Sequence, residues 1–208
     1  MIDLITVGEY SGCMALCYMF GSIPTAYLVA KSVKGIDIRE HGSGNPGATN
    51  VFRVVGKTAG MFTFIMDFLK GFLPVQIVLW LFPGNLPLAS LSGFSAIAGH
   101  NWPVFLKFQG GKGVATSAGV FFALVPIPAL IAIGIFAGVF AATQYVSVGS
   151  ISGSLSLPIT TWFFTYSRLL TLLSLSCAVL IIFLHRKNIQ RLLKGEEHKI
   201  SWSNNDNR

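Results

Sequence analysis

The sequence predicts an all-α integral membrane protein that crosses the bilayer seven times. Composition is the first observation: of 208 residues, 52% are hydrophobic and 11% are charged, whereas a soluble domain carries about 25% charged residues. The second is that the apolar residues lie in long uncharged runs. At least four of these runs reach the roughly 20 residues that a helix needs to span a bilayer. The third is the placement of the basic residues, which favours seven crossings over six.

The first two predicted spans carry the clearest interruptions. The first runs from about residue 4 to residue 30 and is broken by Pro24. The second contains two charges, Asp67 and Lys70, which lie three residues apart and therefore on neighbouring faces of one helical turn. Charges inside a membrane are costly unless they pair or line a wet cavity. We interpret Asp67 and Lys70 as a structural ion pair.

Residues 114–145 are uncharged, but Pro126-Ile127-Pro128 leaves two interpretations open, one long kinked span or two short spans. Two short spans put the loops at 31–57, 100–113 and 144–150 and the C-terminal tail on one side, with 13 of the 15 basic residues. The positive-inside rule favours this arrangement, with the N-terminus outside and the C-terminus in the cytoplasm. All polar loops then face one compartment and could form one site.

The predicted chain is thus a single membrane domain followed by a basic tail. Its spans cover residues 4–30, 58–82, 88–106, 114–126, 127–143, 150–165 and 169–185. Residues 186–208 form a cytoplasmic amphipathic tail that we expect to lie along the membrane surface. The net charge of +7 does not indicate nucleic acid as a partner, because the basic residues flank apolar runs and suit anionic lipid headgroups.

Two polar loops are candidates for an anion site. The sequence HNWPVFLKFQGGKGVAT occupies residues 100–116, and its glycines around Lys112 leave backbone N–H groups room to face an anion. Alone, this pattern fits a flexible turn with Lys112 as a topology signal equally well. The loop HGSGNPGATNVFR at 41–53 fits either a polar binding site or a turn with a helix N-cap. Single residues there favour the cap, and the set together favours a binding site.

The side chains gathered in these loops limit the chemistry. Cations, glycine amides and hydroxyls dominate, and the near absence of carboxylates argues against a Mg²⁺-dependent phosphotransferase. The histidines have no spacing that suits zinc. Gly113 also stands where a Walker loop needs Ser or Thr. We therefore expect a site for one or more phosphates without metal or cofactor. Acyl transfer with a phosphate leaving group suits such a site.

Three segments together carry a family resemblance. GSGNPGATNVFR, HNWPVFLKFQGGKGVAT and HRKNIQRLLKGEE resemble the three signature motifs of the bacterial acyl-phosphate glycerol-3-phosphate acyltransferase family, and GSIPTAY at 21–27 resembles its first span. The resemblance covers essentially the whole chain. It implies a multi-pass protein of the bacterial inner membrane with its active site at the cytoplasmic face. Such an enzyme transfers an acyl group from acyl phosphate to the 1-hydroxyl of sn-glycerol 3-phosphate, giving lysophosphatidic acid and phosphate. This is the first acylation of phospholipid synthesis, and another enzyme would supply the acyl phosphate.

The motifs and loops together give a set of predicted site residues. Catalytic roles are predicted for Ser43, Arg53, Lys112, His185 and Asn188. Substrate-binding roles are predicted for Thr49, Asn50, Gly110, Gly111, Gly113, Ser150 and Glu197. Glu196 departs from the family pattern, so a one-residue slip leaves Glu196 as an alternative to Glu197, which we prefer.

The expected reaction is direct attack of the 1-hydroxyl on the acyl-phosphate carbonyl. Either His185 or the substrate phosphate accepts the proton. A membrane transporter of phosphorylated small molecules or lipids is the competing function, because it would use the same cationic groups.

Overall fold

The computed structural model describes residues 4–200, and side chains from residue 7 onward. Throughout this part of the chain the regular structure is helical, without strands. The α-helices are α1 Leu4–Gly21, α2 Thr25–Lys34, α3 Ala48–Val54, α4 Lys57–Leu81, α5 Leu86–Asn101, α6 Val114–Leu124, α7 Pro126–Thr143, α8 Val146–Thr165, α9 Arg168–Leu184 and α10 Arg186–Leu193. Two short 3₁₀ turns cover Ile38–Glu40 and Val104–Leu106.

The helix bounds follow local sequence signals. The break predicted at Pro126 is confirmed, because α6 ends at Leu124 and α7 begins at Pro126. Proline suits the first position of a helix, where its missing N–H is not needed. The Asn85 side chain caps α5 by accepting a hydrogen bond from the N–H of Leu88. The helix α5 ends at Asn101, so the last part of the predicted 88–106 span lies in the loop that follows.

Glycine contacts set the distance between packed helices. A Cβ atom added at Gly71 of α4 would lie 2.1 Å from the carbonyl oxygen of Thr116 in α6, and one at Gly119 would lie 2.0 Å from that of Phe68. Only glycine allows this close backbone approach, which is typical of packed membrane helices. The same kind of contact joins α1 to α5 through Gly21 and Gly99, and α7 to α8 through Gly149 and Gly153.

Length and composition identify three helical stretches that could cross a membrane, within the part of the chain described. They are Val7–Lys34, Lys57–Leu81 and Pro126–Thr143, and the bent pair α9 and α10 would make a fourth. Large apolar side chains such as Trp80 and Phe163 are exposed on the outer helix faces, as lipid-facing residues are. The full count of seven crossings and their orientation stay predictions.

The predicted ion pair within the second span is confirmed. The Nζ atom of Lys70 lies 2.8 Å from Oδ1 of Asp67, and both side chains are buried. Lys70 also donates a hydrogen bond to the carbonyl oxygen of Ile23, at 2.9 Å. This carbonyl lies in the non-helical turn between α1 and α2, so the pair ties that turn to α4.

The basic tail begins with a change of direction. The axis of α10 is bent by 55° from that of α9. Leu193 at its end is 85% exposed, whereas Asn188 faces inward and is buried. This helix therefore offers one face to the protein and an apolar residue to the surroundings. The rest of the predicted tail, from residue 201, lies outside the described residues.

Candidate functional site

The polar loops meet in one cavity at the end of the bundle where α5 and α9 end and α6 and α8 begin. Ten of the twelve predicted site residues line it. They are Ser43, Thr49, Asn50, Arg53, Lys112, Gly113, Ser150, His185, Asn188 and Glu197. Gly110 and Gly111 instead line two neighbouring cavities. Loops far apart in sequence are thus brought together, as the sequence predicts.

A hydrogen-bonded chain organises one wall of this cavity. The Nζ atom of Lys112 donates to Oδ1 of Asn188. Asn188 then donates from Nδ2 to Oε1 of Glu197, at 2.6 Å. The Glu197 carboxylate also accepts from Ser147 at 2.9 Å and from Arg191 at 2.7 Å. One carboxylate therefore orients a cation, an amide and a hydroxyl at the cavity wall.

The two glutamates of the tail differ sharply. Glu197 is buried at the centre of these contacts, whereas Glu196 is exposed. Burial raises the pKa of Glu197, but the hydrogen bonds from Asn188, Arg191 and Ser147 outweigh it and hold the pKa below its ordinary value. The geometry favours Glu197 as the family glutamate.

Lys112 is a cation held in a partly dry place. Its burial lowers the pKa to about 8, and the neighbouring charges of Arg191 and Arg53 also lower it, against the opposing effect of Glu197. Bringing a phosphate close to Lys112 would favour its charged form. Contact with an anion would therefore stabilise the protonated form of Lys112.

Arg53 provides a second cation from α3. One terminal nitrogen donates to the carbonyl oxygen of His198 at 2.9 Å. The Nε atom is buried and has no hydrogen-bond partner among residues 4–200. Burial also lowers the pKa of Arg53. A buried donor of this kind is costly unless a ligand accepts from it.

The tautomer of His185 follows from its contact with the helix that precedes it. Its Nδ1 lies 2.8 Å from the carbonyl oxygen of Ile181. A carbonyl can only accept, so Nδ1 carries the proton and Nε2 of the neutral ring is left as an acceptor. This is the arrangement that a general base needs.

The Asn50 side chain, for which a substrate contact is predicted, is hydrogen-bonded to the backbone of its own loop in the structure. Its side chain accepts from the backbone N–H of Ser43 and donates to the carbonyl oxygens of Ile38 and His41. All of these contacts lie within the chain, and the residue is buried. Asn50 therefore shapes the loop that carries Ser43, which counts against its use as a substrate ligand.

The backbone amides of Gly110 and Gly111, which are predicted to bind phosphate, also have other hydrogen-bond partners in the structure. The N–H of Gly110 donates to the carbonyl oxygen of Asn101, and that of Gly111 to the carbonyl oxygen of His100, both at 3.2 Å. These amides satisfy the carbonyls at the end of α5, which a helix leaves without internal partners. Gly113 alone of the three glycines reaches the polar cavity, together with the first residues of α6. The N–H groups of that first helical turn suit an anion.

Sequence reasoning missed two charged residues that line the cavity, Asp67 and Arg191. His100 and Ser147 also line it, and both lie in the polar loops that were expected to converge. The signal for Arg191 was available, because it follows His185 and Asn188 at intervals of three and therefore shares their face of a helix. The signal for Asp67 was the free-energy cost of a charge inside a membrane segment, which is usually met by pairing or by a wet cavity.

An apolar groove adjoins the polar cavity. The two share Phe64, Val114, Ala115, Phe136 and Ser150 as lining residues. Beyond them the groove runs between α6, α7 and α8, and nearly all its lining is aliphatic or aromatic. A cationic cavity that opens into an apolar groove suits an amphiphile with an anionic head.

Comparison with known proteins assigns the family. The sequence model described as glycerol-3-phosphate acyltransferase matches residues 11–195. A protein of that name from Endomicrobium trichonymphae is 48% identical over 185 residues, covering 89% of this chain and 92% of the relative. Another, from Thermosynechococcus vestitus, is 41% identical and covers 96% and 99%.

Solved structures agree with the sequence relatives. The crystal structure of PlsY (YgiH), an integral membrane glycerol 3-phosphate acyltransferase, in its glycerol 3-phosphate form, is 40% identical with a TM-score of 0.88. The alignment covers 92% of this chain and 96% of that one. Its lysophosphatidic acid form gives a TM-score of 0.85 at 39% identity, covering 92% and 95%. Fold, sequence and membrane character thus agree, and the chain belongs to the glycerol-3-phosphate acyltransferase family of integral membrane proteins.

Proposed function

We propose that this protein transfers an acyl group from acyl phosphate to the 1-hydroxyl of sn-glycerol 3-phosphate, giving lysophosphatidic acid and inorganic phosphate. The observation that carries the proposal is the junction of the cationic cavity with the apolar groove. Acyl phosphate has an anionic head on an apolar chain, so its two parts match the two cavities. The solved relative is described in forms with glycerol 3-phosphate and with lysophosphatidic acid, which supports the acceptor and the product.

The roles proposed for the cavity residues follow their contacts. Arg53 and Lys112 hold phosphate groups, because both are partly buried cations at the cavity. Ser43 and Asn188 orient the substrates. The amides at Gly113 and the start of α6 stabilise the leaving phosphate in place of those of Gly110 and Gly111.

The reaction proceeds by direct attack in this proposal. A bond forms between the 1-hydroxyl oxygen and the carbonyl carbon, and the bond from that carbon to the phosphate oxygen breaks. The proton of the hydroxyl passes to Nε2 of His185 or to a substrate phosphate oxygen. A covalent acyl-Ser43 intermediate has less support, because within residues 4–200 Ser43 has no hydrogen bond to a histidine. A burst of phosphate release without glycerol 3-phosphate would contradict direct attack.

The acyl donor is tested with the purified protein in detergent. We expect lysophosphatidic acid from glycerol 3-phosphate and acyl phosphate, and none when acyl-CoA replaces acyl phosphate. Product from acyl-CoA alone would overturn the proposed donor. A transporter would instead give no product in this assay but would move labelled glycerol 3-phosphate into liposomes.

The proposed topology places the site at the cytoplasmic face of a bacterial inner membrane, with seven crossings and the N-terminus outside. Its support is the collection of 13 basic residues on one side. Cysteine labelling in intact cells tests it. A cysteine at exposed Lys187 should be protected from an impermeant reagent, and one at exposed Pro83, in the turn before α5, should react. In this topology an acyl-phosphate-forming enzyme of the cytoplasm supplies the donor.

A further inference from the structure

Three buried titratable side chains lie beside the cavity without a role in the reaction proposed above. They are Asp67 and Lys70 of α4 and His100 of α5. The Nδ1 atom of His100 lies 3.7 Å from the same Asp67 oxygen that contacts Lys70 at 2.8 Å. Asp67 and His100 also line the polar cavity. We call these three residues the buried triad.

Stability alone explains the triad poorly. A buried ion pair loses about as much free energy by desolvation as it gains by attraction, so it is weak evidence for a stabilising role. Charged side chains inside membrane helices are expensive as well. The triad is therefore better explained by what it holds in place.

His100 contacts the glycine loop in two ways. A Cβ atom added at Gly111 would lie 2.2 Å from Nε2 of the His100 ring, so the ring is packed directly against that glycine. The carbonyl oxygen of His100 also accepts the N–H of Gly111. Gly111 immediately precedes Lys112, and Lys112 reaches into the cavity to Asn188. The position of His100 thus determines the position of the backbone from which the Lys112 side chain extends.

The other two triad members lie on the opposite side of the His100 ring, where Nδ1 and Oδ1 of Asp67 are in electrostatic contact but beyond hydrogen-bond distance. The Asp67 carboxylate faces its Nδ1, and Lys70 fixes that carboxylate. Lys70 is itself fixed by the carbonyl oxygen of Ile23 at the turn between α1 and α2. Contacts therefore run from the α1–α2 turn through the triad to the glycine loop.

We propose that the buried triad is a positioning unit, in which Asp67 and Lys70 hold the His100 ring against Gly111 and thereby place Lys112 for phosphate binding. The inference rests on the proposed function. It assigns His100 no contact with substrate and no proton transfer.

The first experiment compares His100→Ala, Lys112→Ala and the double variant in the two-substrate assay. Misplacing a binding group by about 1 Å costs about 100-fold, so we expect a loss of about that size in kcat/KM for His100→Ala. The substrate whose KM rises should be the same in both single variants. The double variant should be no slower than Lys112→Ala alone, because His100 acts through Lys112. Losses that multiply would overturn the inference.

The control variant is Tyr10→Phe. It removes the hydrogen bond from Tyr10 to Asn85 at the opposite end of the bundle. We expect it to lower the melting temperature and leave kcat/KM unchanged. A His100→Ala protein with a lowered melting temperature but wild-type kcat/KM would show a merely structural role and overturn the inference.

A second variant covers the case in which His100→Ala does not fold. Gly111→Ala adds a methyl group where the ring lies, at a position whose backbone φ does not require glycine. We expect a loss in kcat/KM with the same rise in KM as Lys112→Ala, whereas wild-type kinetics would contradict the proposed contact. Inactive wild-type protein, in contrast, would contradict the proposed function itself.

Discussion

Lys112 and Asn188, which are 76 residues apart, share a hydrogen bond from Nζ to Oδ1 across the polar cavity. The contact joins the glycine loop to α10, and Asn188 passes the connection on to Glu197. Two of the three sequence motifs are thereby held together by side chains rather than by helix packing alone. A change at any member of this chain should alter how Lys112 is presented to an anion.

Replacing Glu197 by Gln should damage both stability and activity. The variant keeps an acceptor for Asn188 but loses the ion pair with Arg191. Hydrogen bonds to charged groups contribute about 1.5–3 kcal/mol, so the melting temperature should fall and turnover should drop at least about tenfold. Glu196→Gln is the matched control, because Glu196 is exposed. Equal effects of the two substitutions would contradict the assigned position of Glu197.

The ionisation of Glu197 should contribute to the pH dependence of the free energy of unfolding. Its pKa in the folded protein is below the ordinary value of 4.5. The folded state therefore binds protons less readily than the unfolded state, and the stability from this group is present above pH 4.5 and lost as pH falls below it. Thermal unfolding across that range should show a smaller acid-induced loss in Glu197→Gln than in wild type. An identical acid loss would contradict the prediction.

Activity should fall at alkaline pH as Lys112 loses its proton. Burial sets its pKa to about 8, and kcat/KM reports the ionisation of the free enzyme. We expect kcat/KM to decline as pH rises through about 8. In Lys112→Arg this decline should disappear, because arginine stays protonated, even where the rate itself is lower. Lys107→Arg changes an exposed lysine outside the cavity and should keep the wild-type pH profile. If the alkaline decline disappeared in Lys107→Arg, the decline would not report the ionisation of Lys112.

Replacing His185 by Ala should reduce turnover more than about tenfold if this residue is the base. Its ring lines the cavity with Nδ1 committed to Ile181. His198→Ala is the control, because that side chain is exposed and Arg53 contacts only its backbone. Near-full activity of His185→Ala would indicate that the substrate phosphate, and not His185, accepts the proton of the 1-hydroxyl.

Helix packing at α4 and α6 predicts a contrast between glycines. Gly119→Ala would drive a methyl group into the carbonyl oxygen of Phe68, so the helices must separate and the melting temperature should fall. Gly138 of α7 has nothing within 4 Å of an added Cβ. Gly138→Ala should be neutral or slightly stabilising, since alanine favours helices. A tolerated Gly119→Ala would show that the helix pair can shift freely.

Local signals in the sequence account for the elements that the structure reproduces. Pro126 ends one helix and begins the next because proline cannot donate within a helix. Asp67 and Lys70 pair because neither charge can be left alone in an apolar helix. The convergence of the loops followed from charge distribution, which reports a shared side without any knowledge of contacts.

Tertiary contacts explain what the sequence could not predict. The amides of Gly110 and Gly111 looked free, but the end of α5 lies close enough to accept from both. Asn50 looked like a ligand, but three backbone groups of its own loop occupy it. Such competition depends on which helix end meets which loop, and no local pattern encodes that. The pairing of Glu197 with Ser147 is of the same kind.

The most direct test of the central claim is the stoichiometry of the two-substrate reaction. Purified protein receives acyl phosphate and glycerol 3-phosphate, and lysophosphatidic acid and inorganic phosphate are measured in the same samples. We expect the two products to form in equal amounts, and both rates to fall together in Lys112→Ala. Phosphate release without lysophosphatidic acid, or no turnover by the wild-type protein, would contradict acyl transfer from acyl phosphate at this site.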